Sequence, residues 1–401
     1  MSKVSERFFV FIFSLIIIMN SQFFFIPQIF MIFEKINTYH NKFMIAILCI
    51  ILFIVWLVEN FNHIRFNRID LIVLIYLLFT SILLWLQLLL NNDNNTDIVS
   101  NYYYNLILLL YFPLSNFMNK SKEKSDFVFN LIISIGIIYL IATIFNYFKV
   151  VNGINISEIS EVTLVQYVNG NLRLPQTSDF IGITILIILI KMNQNIIEKK
   201  EFSFYILLII IALYTLLFIS DVRMVFLTCV ILVIYSLLKL LLNKFNLLAK
   251  IIIWMLFFVV VSFSIYRLEL FQVLIGDGQK SASVFYRFEV IGYYVNYFFD
   301  NLIFGFGYSE SVKSIYSITD IGMLGFIFKY GLIGLIWTVL LFIYLFFKSI
   351  KTNTSSIDLI LIYLLITSIS LSLFDSQRML YFPILLSIVN SFKRGSKYEE
   401  V

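Results

Sequence analysis

The feature that most constrains this chain is a succession of apolar runs, most of them near the length of a membrane span and separated by short charged connections. They lie at Phe8–Phe33, 43–58, 71–90, 103–118, 127–148, 178–192, 203–219, 224–242, 250–266, 320–347, 357–374 and 380–392. With 61% hydrophobic and 13% charged residues and a mean hydropathy of +0.94, the side chains exceed what one water-soluble core can bury. An ordinary soluble domain is roughly 45–50% apolar and about 25% charged. The bilayer must serve as solvent, and in lipid a spanning backbone closes its hydrogen bonds within helices. The expectation is an all-α polytopic membrane protein of about twelve transmembrane helices, forming one membrane domain over 1–401. The first run is too long for a signal-peptide core and lacks a small-residue cleavage site, so it reads as a retained span that Pro27 bends or ends. The last run, 380–392, is short enough for a half-span.

Charge supports this topology. If the N-terminus is inside, alternate connections hold Lys3 and Arg7; Arg65 and Arg68; Lys120, Lys122 and Lys124; Lys191, Lys199 and Lys200; Lys239, Lys244 and Lys250; Lys348 and Lys351; and Lys393, Arg394 and Lys397. The opposite connections hold Lys35, Lys42, Lys149, Arg173, Arg223, Arg267, Lys280, Arg287, Lys313 and Arg378, and Lys329 falls within a span. Short cytoplasmic loops concentrate Lys and Arg, so both termini are expected in the cytoplasm and the location is the cytoplasmic (inner or plasma) membrane. A net charge of +5 is too small an excess for a nucleic-acid footprint. Cys49 and Cys229 sit inside apolar runs and form no disulfide framework. The only histidines, His40 and His63, fall on opposite sides of the membrane. No zinc-type cluster, P-loop or dinucleotide fingerprint is expected, and no metal or cofactor.

Two outer segments are long, about 149–177 and 267–319, and they mark the working side. In the second, SVFYRFEVIGYYVNYFFDNLIFGFGYSE has helical spacing. At 100° per residue, Val284, Phe288, Ile291, Val295, Phe298 and Leu302 share one face, and Glu289, Tyr293, Asn296 and Asp300 the other. This predicts an amphipathic interfacial helix with Arg287 at the border, about 60° from the apolar centre, ended by Gly305 and Gly307. Asp221 and Arg223 occupy the short turn LFISDVRMVFL, where an arginine fork matches phosphate oxygens or an Asp–Arg pair caps two helix ends. Arg173 begins RLPQTSDFIG, and Asp375 and Arg378 lie in LFDSQRML. A single arginine near a helix end snorkels to the interface, but four on one side can form a cationic site.

These residues resemble the Wzy-type polysaccharide polymerases of the O-antigen polymerase and ligase superfamily. The resemblance rests on Arg173 before a span, SDVR at the next outer turn, and YRFEVIGYYVNYFFDNLIFGFGYS followed by TDIGMLGFIFKYGLIGLIW. It implies transfer of a glycan between undecaprenyl-pyrophosphate carriers at the outer face, without nucleotide or metal. The implied partners are those lipid-linked glycans, the bilayer, a flippase and a chain-length regulator. Ligases of the superfamily carry a His where the Gly-rich span begins; Asp320 stands there, which favours polymerase over ligase. The resemblance makes Arg223, Arg287 and Asp320 the catalytic candidates, and Arg173, Arg378, Glu289 and Asp221 substrate-binding ones. Arginines would stabilise charge on the departing pyrophosphate, and Asp320 or Glu289 would take the acceptor proton. Asp320 also fits as a helix-start residue. Tyr286, Tyr293, Tyr294, Tyr297 and Tyr308 suit either sugar stacking or an aromatic belt. A transporter would need a path instead of a catalytic loop, commonly built from repeated halves that this sequence does not show.

Overall fold

A computed structural model describes residues 3–20, 38–63, 66–90, 95–153, 166–168, 171–174, 178–194, 199–220, 222–242, 281–308, 318–352, 354–370 and 378–392. The helices are α1 (Lys3–Asn20), α2 (Thr38–Asn60), α3 (Arg68–Leu90), α4 (Asn95–Tyr102), α5 (Tyr111–Met118), α6 (Lys122–Val151), α7 (Ser178–Asn193), α8 (Lys199–Tyr214), α9 (Arg223–Leu242), α10 (Ser281–Phe298), α11 (Met323–Thr352), α12 (Ser355–Ser370) and α13 (Tyr381–Ser391). Eleven of the twelve apolar runs overlap helical segments, and 250–266 lies outside the described residues. Among the described residues, five helices are long and apolar enough to cross a membrane: Lys42–Asn60, Arg68–Leu89, Lys122–Val151, Phe202–Ile219 and Met323–Thr352. The protein is a multi-pass, helical membrane protein.

Burial sorts the helices into core and lipid-facing sets. In α7 every side chain from Phe180 to Met192 is buried, as expected of a helix that is apolar on all sides. In α13 Tyr381 to Val389 are buried as well, and its 11 residues give a helix of about 16 Å, near half the ~30 Å hydrocarbon thickness. By contrast α3 and α11 expose stripes such as Leu71, Ile75, Leu78, Ile82, Trp85 and Ile336, Leu340, Ile343, Phe347. These are the sides that lipid covers. The run at 103–118 is not one regular helix: Tyr103–Leu110 is a 3-10 segment joining α4 to α5, and most of it is buried.

The helix ends segregate in agreement with the alternating charge pattern. At one end Glu6 meets Lys120 and Lys124, Lys239 meets Asp358, Asn67 meets Asn390, Asn193 meets Ser236, and Gln194 meets Ser356. The opposite end carries the two long segments. In the first, two strands not foreseen from periodicity, β1 (Gln166–Val168) and β2 (Asn171–Arg173), pair antiparallel with Val168 opposite Asn171. Only Asn169 and Gly170 connect them, and Asn-Gly is the strongest short hairpin signal.

In the second segment α10 is a helix where one was expected, and its most buried side chains fall outside the apolar face read from spacing. Val290 and Tyr294 are buried against Ile321 and Phe328, while Phe285, Phe288 and Phe299 are exposed. The helix therefore has two apolar strips, one against protein and one outward, and the expected face straddles their boundary. Arg287, three residues before Val290, is half-buried on the same side of the helix.

Candidate functional site

At the end opposite the lysine-rich one, the described parts of both long segments are built into interruptions of two helices. The first interruption closes α8. Residues Thr215–Ile219 form one π turn, in which the Ser220 N–H donates to the Thr215 carbonyl at 2.9 Å. A π turn displaces a carbonyl from the α ladder, and such turns recur at functional sites. The Ile219 carbonyl, left without a helical partner where the helix ends, accepts from the Leu174 N–H at 2.8 Å, and Leu174 is buried. Arg173 at the end of β2 is thus fixed against the end of α8, four residues upstream of Arg223 at the start of α9.

Arg378 joins the same region. Its Nε donates to Asp179 Oδ2 at 2.7 Å, with side-chain exposures of 14% and 17%. Asp179 lies in the first turn of α7, where a carboxylate also complements the helix dipole. One turn on, Gly182 lets α9 approach so closely that a Cβ there would be 2.8 Å from Val225 Cγ1. The elements that carry Arg173, Arg223 and the Arg378–Asp179 pair therefore meet at one junction, although about 200 residues separate Asp179 from Arg378. Asp179 was present in RLPQTSDFIG, but its pairing is a long-range fact that spacing does not reveal.

The second interruption lies in α11. Gly331 has φ +65 and ψ −159, so the Leu332 and Ile333 N–H groups cannot reach the Phe328 and Lys329 carbonyls. All four groups are satisfied by the segment after α10. Phe306 and Gly307 donate to the Phe328 and Lys329 carbonyls at 3.0 and 2.7 Å, and Leu332 and Ile333 donate to Leu302 and Ile303 at 2.9 and 3.4 Å. This is how broken helices persist at membrane depth. The approach is too close for side chains: a Cβ on Gly305, itself at φ +66, would lie 2.5 Å from the Gly331 nitrogen. Gln87 of α3 fixes the turn, donating to the Phe306 carbonyl at 2.8 Å and accepting from the Tyr308 N–H at 2.6 Å.

Around this break is a buried polar centre. Asn105 Oδ1 accepts from the hydroxyls of Tyr76 (2.8 Å) and Tyr330 (3.3 Å), and its Nδ2 donates to the Tyr308 hydroxyl at 3.1 Å. Lys329 Nζ lies 4.9–5.5 Å from the ring centroids of Tyr104, Tyr308 and Tyr330 and donates to the Tyr104 hydroxyl at 3.3 Å. A cation within a span costs ~2.5–3.5 kcal/mol, and cation–π contacts of ~0.5–2 kcal/mol each offset part of it. Burial of Tyr294 and Tyr308 at 5% and 2% exposure removes these two rings from the sugar-stacking candidates.

Arg287 belongs to a neighbouring patch. Its helix packs through Val290 and Tyr294 on Ile321, in the 3-10 turn Ile318–Ile321 that contains Asp320. The adjoining Gly322 lies against the Ser368 and Ile369 carbonyls at the end of α12. Glu289 is exposed on α10. Asp221 and Asp375 lie outside the described residues, as does the side chain of Asp320. His40 lies in the first turn of α2, whose 23 residues span about 35 Å, and His63 ends the 3-10 turn Phe61–His63 that follows it. Among the described residues no group of three His, Cys, Asp or Glu has the arrangement of a metal site.

No family model matches the chain, and neither a curated protein nor a solved structure is significantly similar to it.

Proposed function

We propose that the protein polymerises undecaprenyl-pyrophosphate-linked oligosaccharide repeat units at the outer face of the cytoplasmic membrane, yielding a capsular, O-antigen or exopolysaccharide chain. The observation that carries this reading is the junction where the elements bearing Arg173, Arg223 and Arg378 meet, at the end of the bundle opposite the lysine-rich one. In the reaction, a hydroxyl of the acceptor's terminal sugar attacks the anomeric carbon of the donor chain. The glycosidic bond forms as the bond to undecaprenyl pyrophosphate breaks. Arg173 and Arg223 bind the pyrophosphate oxygens with guanidinium forks and stabilise the charge that accumulates on them. Arg378, engaged by Asp179, positions the turn beside them. Arg287 contacts the second substrate from α10, and Asp320 or Glu289 accepts the acceptor proton.

In this reading the lysine-rich end is cytoplasmic and both termini lie there. Single cysteines at Gly153 and Ser281 in a background lacking Cys49 and Cys229 will react with an impermeant thiol reagent from outside, and one at Lys122 will not. The reverse pattern would invert the orientation and remove the site from the outer face.

A second reading, a flippase for the same lipid-linked units, is favoured by one observation. The interruption of α11 with Lys329 beside it has the form of the broken helices that line transport paths. Sidedness separates the two. Loss of a polymerase leaves single lipid-linked units facing outward, and loss of a flippase leaves them facing inward. Inward-facing units in a strain lacking this protein would reject the polymerase reading.

A further inference from the structure

A groove of about 420 Å³ opens on the lipid-facing side of the lysine-rich end, between the start of α3 and the last turns of α11. Arg68 and Lys351 stand at its mouth, and Leu340, Ile343, Tyr344 and Phe347 form its wall. We propose that this groove binds an anionic glycerophospholipid of the adjacent leaflet, with its phosphate between Arg68 and Lys351 and an acyl chain along α11.

Three observations fit that occupant. The wall follows i, i+3, i+4, i+7 spacing on one helix, and from Leu340 to Lys351 it runs about 16 Å, the hydrocarbon depth of one leaflet. Leu340, Ile343 and Phe347 are exposed by 54%, 46% and 62%, so protein does not fill the groove. Both cationic side chains are exposed, and among the described residues neither forms an ion pair. Asp70, two residues from Arg68 in sequence, is buried and engaged, accepting from the Tyr111 hydroxyl at 2.5 Å and the Asn67 N–H at 2.7 Å. Lys348, one turn from Lys351, donates to the Val389 carbonyl at 2.6 Å and adds positive charge behind the mouth. Basic pockets between helices on the cytoplasmic side recognise anionic headgroups in this way. The site is remote from the arginine junction and does not depend on the polymerase reading.

The test is thermal unfolding of the purified full-length chain titrated with phosphatidylglycerol, phosphatidylcholine or undecaprenyl phosphate, with native mass spectrometry of the adducts. Phosphatidylglycerol will raise Tm saturably, and Arg68→Gln/Lys351→Gln will weaken its apparent affinity about thirtyfold, two basic groups' worth. Arg68→Lys/Lys351→Arg, which keeps both charges, will retain binding, and Lys122→Gln will not change it. An equal shift with phosphatidylcholine, an unchanged affinity in the double Gln variant, or preferential binding of the single-chain undecaprenyl phosphate would each overturn the proposal.

Discussion

The two ends of the bundle are held together by different chemistry. At the lysine-rich end, side chains bind side chains: Glu6 receives hydrogen bonds from Lys120 and Lys124, both at 2.6 Å, and Lys239 bonds to Asp358 at 2.5 Å. The helices there meet through short connections, and polar groups such as Asn193 with Ser236 close the ends against each other. At the opposite end the backbone does this work. Leu174, just after β2, caps the last carbonyl of the π turn that closes α8, and residues 302–307 complete the gap in α11. Side-chain pairing fixes that end and neutralises part of its charge. At the outer end the backbone does the pairing, beside the half-buried arginines Arg173, Arg223 and Arg287.

This contrast is broken most sharply by removing arginines. Arg223→Ala or Arg173→Ala will lower polymer formation by about 10²–10³-fold, the range for losing a group that stabilises transition-state charge, while protein level holds. The Lys variants will retain only a small fraction of activity, because a point charge does not reproduce bidentate contacts. Lys122→Ala at the other end will leave polymer unchanged. Normal polymer from both Lys variants would reduce these arginines to interface anchors.

The backbone side of the comparison is next in size. Gly331→Ala or Gly305→Ala forces a side chain into a left-handed residue and into backbone atoms at 2.3–2.6 Å, and will cost more than the ~1–3 kcal/mol of such strain alone. Tm in detergent will fall by several degrees. Gly292→Ala, where a Cβ meets nothing within 4 Å, will instead stabilise α10 by ~0.5–1 kcal/mol.

A smaller effect is expected at the mixed element of the outer end, the Arg378–Asp179 pair. Arg378→Gln leaves a half-buried carboxylate unpaired and will destabilise by about 1–3 kcal/mol. Adding Asp179→Asn will recover part of that loss in a double-mutant cycle on Tm.

The smallest effect lies at Glu6, outside the spans, where hydrogen bonds from Lys120 and then Lys124 lower the carboxyl from 4.5 to about 2. A lowered folded-state value stabilises above the unfolded one. The contribution is therefore complete above about pH 4.5 and disappears as pH falls towards 2. Over that window wild type will lose Tm faster than Glu6→Gln.

Much of the helical architecture was legible because hydrophobic runs report lipid directly. Arg173, Arg223 and Arg378 stood out because arginine is costly near a bilayer and each flanks an apolar run. Their partners did not stand out, since Asp179 meets Arg378 and Leu174 meets Ile219 only through tertiary folding. The polar centre was missed for another reason. Asn105 in YYYNLILLLYF and Gln87 in LLWLQLLL were visible as amides inside apolar runs, and Lys329 as a charge inside a span, yet periodicity weighs runs and passes over single polar residues. The face of α10 was misplaced because lipid and protein both select apolar side chains, so composition cannot tell Val290 from Phe288.

The central claim, that the arginine junction serves a glycan polymerase, is tested most directly by elongation with purified protein. Supplied with undecaprenyl-pyrophosphate-linked repeat units in detergent, without ATP, nucleotide sugar or added metal, it will yield longer lipid-linked glycans and free undecaprenyl pyrophosphate, and Arg223→Ala will yield neither. Absence of elongation by folded wild-type protein with its cognate unit, together with movement of that unit across liposomes containing it, would contradict the account.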